Sequence, residues 1–341
     1  MSPHSKFATL VFFLSFCMIC CAHFQPHHIV EHVNHLDVPW TADIHDFDWT
    51  SLDKFVGTRG HLQQLDRKSA FSELCKKEEY KNGDEGRNNE YEDFDARNHW
   101  FECESISHIW NQGNCAADWA IAVTSAINDR ICIASKTKIK ALYSPQKLLS
   151  CCHNCGDGCK GGYSYSAWQY WTKRGIVTGG EFGSSEGCQP WKIEPCDHNQ
   201  TNQTSICGKF LSETPQCDLH CSNKNYTIPF NQDIVKGKRV RKSCSCQVRR
   251  EIRRRGPVTA TMRVYEDFLT YKKGIYQHVT GKYVGLLTVK IIGWGIYRGV
   301  PYWLAANSWG TSWGENGFFK IIRNENECLI EDYLTFGKVI L

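Results

Sequence analysis

Nineteen cysteines in 341 residues, most of them beyond residue 100 and set among glycines and aromatics, constrain this chain more than any other feature. Thiols at that density either bind metal or cross-link the fold. The group Cys152-His153-Asn154-Cys155 with Cys159 has a spacing that zinc could use. The N-terminus argues for the other use. Lys6 precedes an apolar run from Phe7 to Cys21, with Ala22 at the cleavage position, which is the form of a signal peptide and too short to span a bilayer. Exported chains spend cysteine on disulfides, so a disulfide-rich domain with no metal and no cofactor is expected. Sequons at Asn199, Asn202 and Asn225 agree with export and mark surface loops.

The length is sufficient for one large domain or two. A net charge of +4 is too mild for a nucleic-acid-binding chain. Beyond the leader no segment is apolar for the roughly eighteen residues that a membrane span needs. Residues 23–89 are polar and hold a single cysteine, with an amphipathic stretch from Trp49 to Leu65 that places Leu52, Phe55 and Val56 at helical spacing. The charged block from Lys76 to Asp95 reads as an accessible processing linker. From Phe94 onward the texture changes. A helix is expected over Asp118–Ala134, a loop-rich region over residues 151–230, and strands at Val258–Arg263, Leu286–Gly293, Trp303–Asn307 and Phe318–Ile322. A helical first half and a strand-rich second half imply two lobes meeting at a cleft.

Several stretches match a known family closely. Gln112-Gly113-Asn114-Cys115-Ala116-Ala117-Asp118-Trp119 follows the Cys-Gly-[Ser/Ala]-Cys-[Trp/Tyr] pattern, with alanine in the place of the glycine and aspartate in the place of the second cysteine. Asn128-Asp129-Arg130-Ile131-Cys132-Ile133, Cys155-Gly156-Asp157-Gly158-Cys159-Lys160-Gly161-Gly162-Tyr163, Tyr276-Gln277-His278-Val279-Thr280-Gly281, Gly293-Trp294-Gly295 and Ala306-Asn307-Ser308-Trp309 extend the match. Residues 90–341 resemble cathepsin B, within the papain family of cysteine proteases, and Trp40-Thr41-Ala42 resembles the start of that family's propeptide. The resemblance implies an α+β, papain-like two-lobed fold, organised as a signal peptide (1–22), a propeptide (23–89) and a protease-like domain (90–341), in a secreted or lysosomal protein. It also implies the disulfides Cys103–Cys132, Cys115–Cys159, Cys151–Cys217, Cys152–Cys155, Cys188–Cys221 and Cys196–Cys207, leaving Cys244, Cys246 and Cys328 over.

Papain-type chemistry needs an attacking thiolate, a histidine that shuttles the proton, an asparagine that orients it, and a glutamine that steadies the oxyanion. By resemblance Gln112 is the oxyanion glutamine and Asn307 the orienting asparagine. Asp118 holds the nucleophile slot. The base slot, six residues before Gly293, is Leu287. Both reacting groups are absent, so a non-catalytic homologue is expected, with an ionised Asp118 favoured by the helix N-terminus. An enzyme with relocated groups would need a thiol such as Cys328 beside a histidine such as His278, and nothing in the sequence brings them together.

Gly161, Gly162, Trp309 and Tyr333 match positions that line the family's peptide cleft, Tyr333 at the floor of its main specificity pocket. Peptides, the propeptide or a cystatin-type inhibitor are the partners this implies. In cathepsin B a loop with two adjacent histidines holds the substrate's C-terminal carboxylate. Here the segment Cys196-Asp197-His198-Asn199 keeps only His198, and Asn111 replaces the acid that docks the loop, which puts both carboxylate recognition and docking in question. One further feature is no family marker: Lys236 to Arg255 holds ten basic residues and a single acid, Glu251. It reads either as a solvated helix face or as a site for acidic glycans.

Overall fold

The computed structural model of the protein describes residues 26–45, 52, 56–57, 93–197, 205–207, 210–243 and 245–341. The leader, most of the amphipathic stretch at 49–65 and most of the linker at 76–95 lie outside the described residues, as do His198, Asn199, Asn202 and Cys244.

Helix α1 (Pro26–His35) opens on a proline, whose fixed φ suits a first turn, and buries Ile29 and Val33 one turn apart. The Asn34 side chain then closes a return loop, donating to the Ala42 carbonyl at 3.0 Å and accepting from the Ala42 N–H at 2.9 Å. This delivers β1 (Trp40–Ala42) antiparallel to residues 271–274, with Trp40 buried against Tyr271 and Tyr276.

The main body begins at β2 (Phe94–Asp95). Helix α2 (Asp118–Ala134) matches the expected span and is buried from Asp118 through Cys132, as a helix enclosed on all sides must be. Its three consecutive polar residues each reach a different part of the fold. Asn128 accepts the Tyr143 N–H at 2.8 Å. Asp129 pairs with Lys290 at 2.8 Å and accepts from Ser105 Oγ at 2.6 Å. Arg130 donates to the carbonyls of Gly256 and Pro257 and pairs with Glu251. Buried polar groups need such partners, so the run Asn128-Asp129-Arg130 clamps the lobes together.

Helix α3 (Pro145–Cys151) is capped by Ser144, whose hydroxyl accepts the Lys147 N–H. Helix α4 (Ser164–Lys173) interrupts the loop-rich region expected over 151–230: Ser164, Ala167, Trp168 and Trp171 fall on one face and are buried. The indole of Trp168 donates to Thr259 Oγ1 at 2.9 Å, which pins this helix to the strand lobe. A short parallel pair, β3 (Cys196–Asp197) with β4 (Ser205–Ile206), forms beside the Cys196–Cys207 bridge. All six disulfides implied by the resemblance are formed, and Cys328 is a free, buried thiol.

The strand lobe comprises β5 (Lys238–Ser243), helix α5 (Ser245–Arg255), β6 (Val258–Tyr265), β7 (Tyr271–Tyr276), β8 (Tyr283–Tyr297), β9 (Val300–Ala306), β10 (Phe318–Ile322) and β11 (Leu334–Lys338). They form one sheet in the order β1-β7-β10-β9-β8-β6-β11-β5, with β2 paired to β8. The α2 helix packs against β8, and that junction is where the two halves meet. Among the described residues no helix is long and apolar enough to cross a membrane.

Candidate active-site cleft

Two glycines and a disulfide shape one wall. Cys115–Cys159 ties the start of α2 to the Gly158–Gly162 turn, and the Ala116 N–H donates to the Cys159 carbonyl at 2.8 Å. Gly161 sits at φ 113°, a conformation that side chains resist. At Gly162 an added Cβ would stand 2.6 Å from the Trp119 indole. The opposite wall is β8. Between them lies Gly57 of the N-terminal segment, whose N–H donates to the Leu286 carbonyl at 2.8 Å and whose Cα hydrogen faces Gly161. An extended backbone thus fits between Gly161 and Leu286.

Beside it is a cavity of about 290 Å³ lined by Asp118, Gly162, Tyr163, Thr261, Thr288 and Tyr333, among others. Tyr333 is thus one of the residues around this cavity. The cavity wall is rich in hydroxyls: Thr261 Oγ1 is 3.1 Å from Thr288 Oγ1, and Thr335 Oγ1 is backed at 2.8 Å by Thr259 Oγ1 from the interior. None of the described residues lining the cavity is a cysteine or a histidine.

Asp118 is the first residue of α2, 3 % exposed. Its Oδ2 accepts the Thr288 N–H at 2.6 Å, while Oδ1 has no partner among the described residues. The ionised carboxylate expected from the helix N-terminus is corrected here. Burial pushes the carboxyl up to about 7 against the opposing hydrogen bond from Thr288, because desolvation of a charge outweighs a helix-end interaction of roughly 0.3–1 kcal/mol. Leu287 is wholly buried in the core, opposite Met262, while its neighbours Leu286 and Thr288 line the cavity.

Asn307 is buried too. Its Oδ1 turns back to accept the Ser308 N–H at 2.7 Å, and its Nδ2 has no partner among the described residues. Gln112 is held beside it, accepting from Ser308 Oγ at 2.7 Å and donating its backbone N–H to the Ser308 carbonyl. Trp309 does not line the cavity; it is buried in an aromatic cluster with Phe268 and Trp313.

The structure also corrects the separation of Cys328 and His278. Both border the buried Asp267: His278 Nδ1 lies 3.0 Å from its carboxylate, the His278 N–H reaches Glu327, and Cys328 Sγ lies 3.2 Å from the same Glu327 carboxylate. This cluster does not line the cavity, and burial, with Glu327 and Asp267 beside it, pushes the thiol well above its ordinary range, the opposite of an activated nucleophile. His278 itself stacks on Tyr265 at 3.7 Å, a structural role. Asn111 Nδ2 donates to the Cys196 carbonyl at 3.0 Å, which holds the start of β3; the loop that follows lies outside the described residues. Asn225 lies on an exposed turn. Residues that sequence reasoning missed are Thr288, which fixes Asp118, and Gly57, whose backbone enters the cleft.

Comparison with known proteins gives the family and the fold. The profile described as papain family cysteine protease matches residues 91–338. A cathepsin B-like cysteine proteinase of Schistosoma japonicum is 45% identical over 251 residues, covering 72% of each chain. Cathepsin B-like cysteine proteinase 4 of Caenorhabditis elegans is 45% identical over 252 residues, 72% of this chain and 74% of that one. Among solved structures, procathepsin B S9 from Trypanosoma congolense superposes with a TM-score of 0.73 at 30% identity, over 94% of this chain and 100% of the other. The proform of the ragweed pollen allergen Amb a 11 shares the fold, at a TM-score of 0.64 and 17% identity over 93% of this chain and 86% of that one. The chain belongs to the papain family of cysteine proteases, as a cathepsin B-like homologue.

Proposed function

We propose that this homologue does not cut peptides but holds them in its cleft. The observation that carries this reading is the state of Asp118: a buried, largely desolvated carboxyl, held by the Thr288 N–H, stands at the head of α2 where the family's chemistry needs a thiolate. A carboxyl group pushed up to about 7 is partly protonated at neutral pH and a weak nucleophile. The departing amine would also need a proton, and Leu287 has none to give. The unpartnered Asn307 amide supports the same conclusion, since an orienting residue has nothing to orient. Losing one member of such a unit costs as much as losing several, around a million-fold in rate.

The cleft nonetheless accepts backbone, as the Gly57–Leu286 bond illustrates. Peptides, the protein's own propeptide and cystatin-type inhibitors, which wedge into the cleft without needing a thiol, are the partners this reading assigns. The chain is taken to be exported to an extracellular or lysosomal compartment, with residues 1–22 as signal peptide, 23–89 as propeptide and 90–341 as the folded domain, glycosylated at Asn199, Asn202 and Asn225. Self-maturation is then impossible, and another protease must remove the propeptide.

The test is reversal. Protein freed of its propeptide should neither hydrolyse dipeptidyl fluorogenic substrates nor be labelled by epoxide thiol probes. The double variant Asp118→Cys/Leu287→His should gain activity well beyond either single change, because thiol and imidazole act together. Hydrolysis by the unmodified protein, with labelling at any cysteine, would overturn the reading.

A further inference from the structure

We propose that the face built by α4, β5 and β11 is a binding track for a sulfated polysaccharide, which starts at the rim of the cleft, where Lys242 and Tyr165 line the cavity, and runs away from it along β5. Folding concentrates positive charge here beyond what the run Lys236–Arg255 contains. Strand β5 is the edge of the sheet and exposes Lys238, Arg239, Arg241 and Lys242. It lies along α4: Gly237 abuts Trp171 at one end, and Lys242 Nζ stands 5.1 Å from the Tyr165 ring centre at the other. Helix α4 adds exposed Lys173 and Arg174 at its C-terminal end, and β11 adds Lys338, paired in register with Lys238. No Asp or Glu occurs in residues 158–180, 234–250 or 333–341, so the three elements present this charge without a carboxylate among them.

The single acid of the basic run does not offset it. Glu251 is 9% exposed, and its two carboxylate oxygens accept from the buried Arg130 and from Arg255. Its charge is consumed inside the protein. Basic side chains on an edge strand also discourage sheet-to-sheet pairing, but that role asks nothing of α4 or β11, which carry the same sign. Six residues of strand extend the charge over ~20 Å, a line suited to a polymer rather than a small ion. Arginine at two of the positions supplies the planar fork that grips sulfate oxygens in pairs. Six disulfides mark a chain for oxidising surroundings, where the abundant polyanions are sulfated glycans and not nucleic acids. The Tyr165 ring lies under the Lys242 ammonium, which removes it as a platform for stacking bases.

The experiment is chromatography and titration of the full chain on immobilised heparin, with single-stranded DNA of equal charge in parallel. The unmodified protein should be retained at about 0.15 M ionic strength. Lys238→Ser/Arg239→Ser/Arg241→Ser should bind roughly tenfold more weakly or worse, with the log–log dependence of affinity on salt made shallower by about one per contact removed. Lys136→Ser/Lys138→Ser/Lys140→Ser, an equal loss of exposed charge elsewhere, should bind as before. If the β5 variant fails to fold, Lys173→Ser/Arg174→Ser on α4 carries the test with the same expected direction. Equal weakening by the control triple, no retention of the unmodified protein, or DNA binding as tight as heparin would each overturn the proposal.

Discussion

The backbone N–H of Thr288 donates to Asp118 Oδ2 at 2.6 Å, joining the head of α2 to β8 across the floor of the cleft. A carboxyl group is thereby buried with one oxygen bound and the other without a partner among the described residues. Its protonation belongs to the stability of the whole domain.

Asp118→Asn should make the protein more stable at neutral and alkaline pH. The folded-state carboxyl is pushed up to about 7 from an ordinary value of 3.8, so its favourable state is the protonated one. That contribution is complete below pH 3.8, declines as the unfolded chain ionises, and is gone above pH 7. The full penalty is on the order of 4 kcal/mol. Thermal melts of the two proteins should coincide near pH 4 and separate by several degrees at pH 8, with the asparagine variant higher. Curves that stay parallel across the range would show that Asp118 is not the titrating group.

Gly162→Ala should abolish cleft binding while leaving a folded protein. The new methyl would meet the Trp119 indole at 2.6 Å and the Cys155 carbonyl at 2.8 Å, and overpacking of this kind costs typically 1–3 kcal/mol. Titration with a cystatin-type inhibitor should give measurable affinity for the unmodified protein and a large loss for the variant. Absence of binding to the unmodified protein, even after deglycosylation, would deny the groove a function.

His45→Gln should keep the N-terminal segment docked at lower pH. The His45 imidazole is buried, with Nε2 2.8 Å from the Tyr271 carbonyl, and burial pulls its pKa below the usual value, with Lys272 adding to the fall and Asp43 opposing it. Because the folded pKa is lowered, this contribution is present above pH 6.5 and is lost as acid protonates the ring. Hydrogen exchange of residues 26–45 should rise between pH 7 and 5 in the unmodified protein and rise less in the variant, whose amide still donates but does not titrate.

Glu251→Ala should destabilise the domain by about 3–5 kcal/mol, since it strands the guanidinium of Arg130 in the core. Glu251→Gln, which preserves an acceptor, should cost less. Denaturant melts of both variants compare the two losses, and equal, small effects would mean that solvent reaches Arg130.

Much of this architecture is legible in the residues. The apolar spacing after Asp118 forecasts a helix with the observed limits, though buried on one face and not on all sides as found, and β10 also falls on its expected span, because burial on a period of 3.6 or 2 leaves a direct trace in the sequence. Helix α4 was equally legible from Ser164, Ala167, Trp168 and Trp171, yet surrounding Cys, Gly and Pro masked it. Strand β5 falls in the run read as a solvated helix face or an acidic-glycan site and gives no strand signal of its own, because an edge strand with exposed basic residues carries no apolar alternation.

Chain chemistry by itself determined that positions 118 and 287, which the resemblance matches to the nucleophile and base slots, carry Asp118 and Leu287, and no folding can turn them into a thiol and an imidazole. What the tertiary structure decided is the state of those residues. The partial protonation of Asp118 comes from its burial under β8, the orphaned Asn307 amide from its enclosure, and the neutralised Glu251 from Arg130, 121 residues away. The reason is electrostatic: a charge's free energy is set by the dielectric and the partners around it, and both are made by segments far apart in sequence.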